Sequence, residues 1–227
     1  MRGYKCVAFD LDDTLLDTSQ LLVPIAAQRA CEALLSSGVA SDINTCLQWR
    51  TMKASELSHT EIFEQFIKTH GSPTPDLALQ RAIKAFYNPE VPEHLPLIEG
   101  AAKNLEILSQ KYSLYLVTSG EPRAQLKKIK ALKIEKYFRK LYLVNNFKQE
   151  QKKEAFADIL RVEKILPEEL ISIGNRLSQE IRQAKMCGAR TCYFCHGEHV
   201  GEVPLMREDY PHFTIYKHAE LIRSCGL

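Results

Sequence analysis

Hydrophobic and polar positions along this chain follow two rhythms, and the change between them falls near residue 97. Close to the N-terminus, residues 4–9 form a short apolar run that reads as a buried strand. From about 18 to 92 the apolar positions recur at helical spacing, first over Gln20–Ser36 and again over Glu61–Thr69, with Ile62, Phe63, Phe66 and Ile67 on one face. Gly71-Ser72-Pro73-Thr74-Pro75 interrupts that run, and Asn88-Pro89-Glu90-Val91-Pro92 with Pro96 ends it. Beyond it, strand patterns at Leu114–Val117, Leu141–Val144, Leu170–Ile173, Arg190–Phe194 and Phe213–Tyr216 alternate with helical ones. The helical patterns cover Ala101–Lys111, Pro122–Lys133, Lys153–Arg161, Ser178–Cys187 and Lys217–Ser224.

Regular alternation of this kind predicts an α/β fold, a doubly wound parallel sheet with helices on both faces, carrying an inserted all-helical domain. The boundaries expected are 1–17 with 93–227 for the α/β part and 18–92 for the insert. In such sheets ligands collect beyond the carboxyl ends of the strands. The first strand ends there in Asp10-Leu11-Asp12-Asp13-Thr14. Side chains two apart on extended backbone point the same way, so Asp10 and Asp12 face one pocket. Two carboxylates held that close need a cation between them or a shared proton, which suggests metal-assisted chemistry.

Three later strand ends extend the pattern. Leu114–Val117 runs into Thr118-Ser119-Gly120, a hydroxyl followed by turn N–H groups suited to an anion. Lys152 and Lys153 precede a helix and can bring an ammonium to that anion. Leu170–Ile173 ends in Gly174-Asn175, with Glu180 opening the next helix. Carboxylates, hydroxyl, lysine and a further oxygen donor at successive strand ends fit phosphate chemistry with Mg2+.

Composition narrows the rest. A formal charge of +2 gives no global attraction to nucleic acid or membrane, and no apolar run could span a bilayer. No signal-peptide core precedes Asp10, so a cytoplasmic protein with mostly free thiols among its seven cysteines is expected. Cys192 and Cys195 lie an odd number apart on a strand and read as buried structural thiols rather than zinc ligands. Residues 123–140 carry eight basic residues against Glu135; with Leu126, Ile129 and Leu132 as the buried stripe, the charges read as a solvated helix face. Asp13 and Asp17 read as turn and helix-start residues.

Together these motifs resemble the haloacid dehalogenase (HAD) superfamily. Its DxDxT motif matches Asp10 to Thr14, its second motif Thr118, its third Lys152 or Lys153, and its fourth Gly174, Asn175 and Glu180. Spacing to Phe156 favours Lys152, and Ala184–Arg190 resembles the helix-to-strand passage after the fourth motif. The likeness spans nearly all of residues 4–195, and the helical insert is similar to the family's C1-type cap on a Rossmann-like core.

The resemblance implies a Mg2+-dependent phosphatase of small phosphorylated metabolites. Asp10 would attack phosphorus and form an aspartyl-phosphate, while Asp12 would protonate the leaving oxygen and then activate water. Thr118, Ser119, Gly120 and the motif lysine (Lys152 or Lys153) would hold the phosphoryl oxygens; Asp10, Asp12, Asn175 and Glu180 would hold the metal. Family members usually have Asp where Asn175 stands. Loss of that charge weakens divalent-ion binding by on the order of 1–4 kcal/mol, taking an effective dielectric constant of about 20. A high Mg2+ requirement follows. The alternatives are a weak or inactive relative that binds a phosphorylated ligand or partner, and a phosphomutase or phosphotransferase; Asp12 argues against a dehalogenase. Cap side chains such as Arg29, Arg50, Lys53, His59 or Arg81 would choose the substrate, and the chain would act as a monomer or homodimer.

Overall fold

Six short strands carry the α/β part of the chain: β1 (Cys6–Phe9), β2 (Ser113–Ser119), β3 (Lys140–Val144), β4 (Leu170–Gly174), β5 (Arg190–Phe194) and β6 (Phe213–Ile215). The computed structural model describes residues 3–88, 90–145 and 148–227, so Pro89 of the expected proline cluster lies outside the described residues. All neighbouring strands pair in parallel, in the order β3-β2-β1-β4-β5-β6. Every residue of β1 and β4 is buried, as expected of central strands covered on both faces.

The order reverses at β1, whose Phe9 is level with Leu116 on one side and Ile173 on the other. A crevice opens beyond the strand ends at such a reversal. The Asp10 N–H donates to the Ile173 carbonyl at 2.9 Å and extends the ladder one step, so the nucleophile candidate starts from fixed backbone.

Helices α6 (Ala101–Ser109), α7 (Pro122–Leu132) and α8 (Lys152–Glu163) follow the expected runs within a few residues. Two expected helices are broken. Ser178–Cys187 opens as a wide π-turn over Leu177–Ile181 before α9 (Arg182–Met186), and Lys217–Ser224 opens with a tight turn at His218–Glu220 before α10 (Leu221–Cys225). Glu202 accepts the Leu177 N–H at 2.7 Å and the Ser178 N–H at 3.2 Å, and so caps the start of the π-turn.

The chain divides into two compact units, Met1–Asp17 with Val91–Leu227, and Thr18–Glu90. The second is helical: α1 (Thr18–Leu21), α2 (Val23–Ser36), α3 (Ile43–Lys53), α4 (His59–His70) and α5 (Pro75–Tyr87). A capping box between Ser58 and Glu61 starts α4, and Gly71 ends it in a left-handed conformation. Its apolar faces share one core built around Ala30, Leu34, Phe63, Phe66 and Ala82, with Trp49 packed against it.

One cysteine pair departs from the expectation of free thiols. Cys31 on α2 and Cys46 on α3 are both buried on facing sides, with Cα atoms 5.8 Å apart, and form a disulfide. Spacing along a chain cannot reveal such a pair, because packing of the two helices creates it. Cys6, Cys187, Cys192, Cys195 and Cys225 are free. Among the described residues no helix is long and apolar enough to cross a membrane.

Candidate active site

Two acids stand at the mouth of the sheet, and each has its own buried lysine. On the first side, Lys152 opens α8 and donates from Nζ to Asp10 Oδ1 at 2.6 Å. The same ammonium donates to Glu180 Oε1, while Glu180 Oε2 accepts the Arg176 N–H at 3.0 Å. All three side chains are buried. Burial pushes the Asp10 carboxyl up; Lys152 opposes this, and the charges of Glu180 and Asp12 add to it. Burial alone would lower Lys152, but Asp10 and Glu180 outweigh it and raise its pKa above the ordinary value. Gly174 has to be a glycine, since a Cβ there would overlap the Glu180 side chain.

On the second side, Lys128 Nζ donates to Asp12 Oδ1 at 2.7 Å and Gln125 Nε2 to Asp12 Oδ2 at 2.8 Å. Both donors come from α7 and lie within the fold. Gln125 Nε2 also lies 2.6 Å from Thr118 Oγ1 and 3.2 Å from the Ser119 carbonyl. Gly120, at φ 148°, leaves room for that amide: a Cβ would stand 3.3 Å from Gln125 Cδ. The buried face of α7 therefore passes through Gln125, Lys128, Ile129 and Leu132. Leu126, expected in the buried stripe, is 37% exposed. A leucine and a lysine exchange their usual places because Asp12 needs a cation and the helix offers one on its inner face.

Asn175 is buried at the end of β4, where its Nδ2 donates to the His196 carbonyl at 3.3 Å. That bond turns Oδ1 the other way, as an acceptor. Asp10 Oδ2 has no hydrogen bond to the described residues. Asp10 and Glu180 set two carboxyl groups against the one ammonium of Lys152, so full ionisation of this buried side calls for a further cation. An Asp10 carboxylate oxygen, the Asp12 main-chain carbonyl and Asn175 Oδ1 are hard oxygen donors of the kind that fits Mg2+. Among the described residues no three His, Cys, Asp or Glu side chains gather as a ready metal cage, so main-chain and amide oxygens would have to share the work.

Of the residues expected at the site, the structure brings together Asp10, Asp12, Thr118, Ser119, Gly120, Lys152, Asn175 and Glu180 at neighbouring strand ends. Glu180 is placed as the holder of Lys152, with both oxygens occupied, and the Asp12 carboxylate is likewise engaged by α7. Lys153 turns aside. It is half-buried, its N–H donates to Gln183 Oε1 at 3.0 Å, and its charge acts on the Cys187 thiol. Asp13 takes the left-handed turn position at φ 52°. Gln125, Lys128 and Glu202 escaped the reading of the sequence. The only trace of the first two is that Gln125 lies four residues before Ile129 and Lys128 four before Leu132, on the inner face of α7.

A family model described as haloacid dehalogenase-like hydrolase matches residues 7–194. Glyceraldehyde 3-phosphate phosphatase of Pyrococcus furiosus is 30% identical, covering 98% of this chain and 93% of its own length. The putative HAD-hydrolase YfnB of Bacillus subtilis is 25% identical over 97% of this chain and 95% of its own. A crystal structure of YfnB bound to magnesium superposes with a TM-score of 0.67, covering 98% of each chain. A putative phosphatase from Clostridium difficile, 18% identical, reaches 0.72 over 98% of this chain and 99% of its own, a likeness of fold. The chain belongs to the haloacid dehalogenase-like hydrolase family, on its phosphatase side.

Proposed function

We propose that this protein hydrolyses the phosphoric monoester of a small metabolite through an aspartyl-phosphate on Asp10, with Mg2+ as cofactor. The observation that carries the reading is the buried Asp10–Lys152–Glu180 group at the topological switch of the sheet, beside the Thr118 hydroxyl. Asp10 Oδ2 is the nucleophilic oxygen, since Oδ1 is held by Lys152. Thr118, the Ser119 N–H and Lys152 stabilise charge on the phosphoryl oxygens as it spreads in the transition state. Asp12 gives a proton to the leaving oxygen and later takes one from water. Asp10, the Asp12 carbonyl and Asn175 would hold Mg2+, which supplies charge neutralisation at the phosphoryl group when bound. Lys152, not Lys153, is the lysine of the site in this reading.

The named activity of the Pyrococcus furiosus relative makes glyceraldehyde 3-phosphate the first substrate to test. Choice among metabolites is assigned to the inserted helical unit, Thr18–Glu90, acting as a C1-type cap. Turnover of p-nitrophenyl phosphate against Mg2+ concentration, with Asp10→Asn as control, tests the core claim. Wild-type release of phosphate that requires Mg2+ and vanishes in Asp10→Asn supports it. Absence of turnover at every Mg2+ concentration overturns it.

A further inference from the structure

We infer that Gln125 and Lys128 are positioning residues that hold Asp12 in line for proton transfer and couple it to Thr118. The inference rests on the phosphatase reading above and deepens it. Asp12 is gripped at both carboxylate oxygens by donors from a single helix, Lys128 at 2.7 Å and Gln125 at 2.8 Å. Rotation of the carboxylate would break one bond or both, so its plane is fixed relative to α7. The same Gln125 amide donates to Thr118 Oγ1 at 2.6 Å. With a donor filling one lone pair, the Thr118 O–H is left to point elsewhere as a donor, toward a phosphoryl oxygen. One amide thus orients both the proton-transferring acid and a phosphate-binding hydroxyl.

Burial supports a purpose. Gln125 is 2% exposed and Lys128 8%, whereas a lysine on a basic helix face could keep its ammonium in water at no cost. Gly120 lacks the Cβ that would crowd the Gln125 amide, so the loop after β2 accommodates the clamp.

The chemistry needs no proton from the clamp. In the first half-reaction Asp10 Oδ2 bonds to phosphorus as the bond to the leaving oxygen breaks, and that oxygen takes the proton of Asp12, leaving a carboxylate. In the second, the Asp12 carboxylate takes a proton from water as the water oxygen bonds to phosphorus. The Asp10–phosphorus bond breaks, releasing inorganic phosphate and restoring the Asp10 carboxylate. Lys128 and Gln125 fix the carboxylate in both.

The test compares two aryl esters in the full chain with Mg2+: phenyl phosphate, whose leaving oxygen needs a proton, and p-nitrophenyl phosphate, whose leaving oxygen needs little. For Lys128→Met and Gln125→Leu, kcat/KM on phenyl phosphate should fall about 10²-fold, the usual scale of general acid catalysis, and on p-nitrophenyl phosphate at least about tenfold less. Lys128→Arg, which keeps a donor, should recover part of the phenyl phosphate loss and carries the comparison if the other variants fail to fold. Equal losses on both esters, or no loss on either, overturn the clamp while leaving the phosphatase reading in place. Absence of wild-type turnover on both esters overturns the two together.

Discussion

The Asp10 side and the Asp12 side of the site are built from the same parts and balanced differently. Each joins an acid at the end of β1 to a lysine from a helix that follows a later strand, Lys152 from α8 and Lys128 from α7. On the Asp10 side Glu180 shares the lysine, everything is buried, and two carboxyl groups face one ammonium. On the Asp12 side one carboxylate faces one ammonium and an amide, and the Asp12 side chain keeps 29% of its surface exposed. The first side can ionise fully only with a further positive charge, which is where a divalent ion is wanted. The second is already neutral and reaches solvent, as suits a group that exchanges protons with a leaving group and with water. In the proposed reaction, charge balance therefore separates the nucleophile from the acid–base more clearly than residue type does.

The sharpest way to break this division is to remove each acid in turn. Asp10→Asn should abolish turnover, a loss on the order of 10⁴-fold or more, because no oxygen of comparable nucleophilicity remains. Asp12→Asn should cost about 10²- to 10⁴-fold, with the smaller loss on p-nitrophenyl phosphate. Steady-state rates on two leaving groups check both; equal effects for the two variants on both esters would erase the distinction.

Stability offers the next test. Lys152→Met strands Asp10 and Glu180 in the interior and should cost about 3–5 kcal/mol in urea unfolding, as breaking buried pairs does. Lys128→Met strands only Asp12, which can turn to water, and should cost about 1–2 kcal/mol. A reversed order would mean that the second side is the structural one.

Metal dependence then probes the charge balance of the Asp10 side. Asn175→Asp adds a carboxylate where the amide oxygen now faces the site, and should strengthen Mg2+ binding by about 1–4 kcal/mol at an effective dielectric constant of about 20. The Mg2+ concentration giving half-maximal turnover should drop at least about fivefold, and chelation should silence both proteins. An unchanged requirement would place the ion away from Asn175.

The sheet was legible in the sequence because buried parallel strands and amphipathic helices leave opposite periodicities, and because acids, hydroxyls and glycines mark the strand ends. The clamp of α7 was not. Lys128 sits among seven other basic residues between 123 and 140, and a lysine in such company reads as solvated. Only the position of Asp12 in space turns it inward. Leu126 misled for the mirror reason, since an exposed leucine costs a surface little. The cap on Leu177–Ile181 depends on the distant Glu202, and the Cys31–Cys46 bond on the packing of α2 against α3. Contacts made by distant parts of a chain leave no local pattern.

The last expected effect concerns the loop that both sides share. His218, buried beneath it, holds the Thr14 carbonyl at 2.7 Å through Nε2. Since a carbonyl only accepts, Nε2 carries the proton and Nδ1 is the acceptor for Asn104 Nδ2 at 3.2 Å. The ring is neutral: burial lowers its pKa below 6.5, the Thr14 bond opposes this, and His196 adds to the lowering. The unfolded chain therefore takes up a proton before the folded one does, so this group's stabilisation is present above pH 6.5 and fades as pH falls below it. His218→Ala should cost about 1–3 kcal/mol at about pH 8, by leaving the Thr14 carbonyl and the Asn104 amide short of a partner. At about pH 5.5 the gap between wild type and variant should narrow, because the wild type alone carries the histidine penalty. Urea unfolding at both pH values measures this. Because the loop serves Asp10 and Asp12 alike, the folded variant should lose turnover on phenyl and p-nitrophenyl phosphate in equal proportion, and unequal losses would show that His218 favours one side.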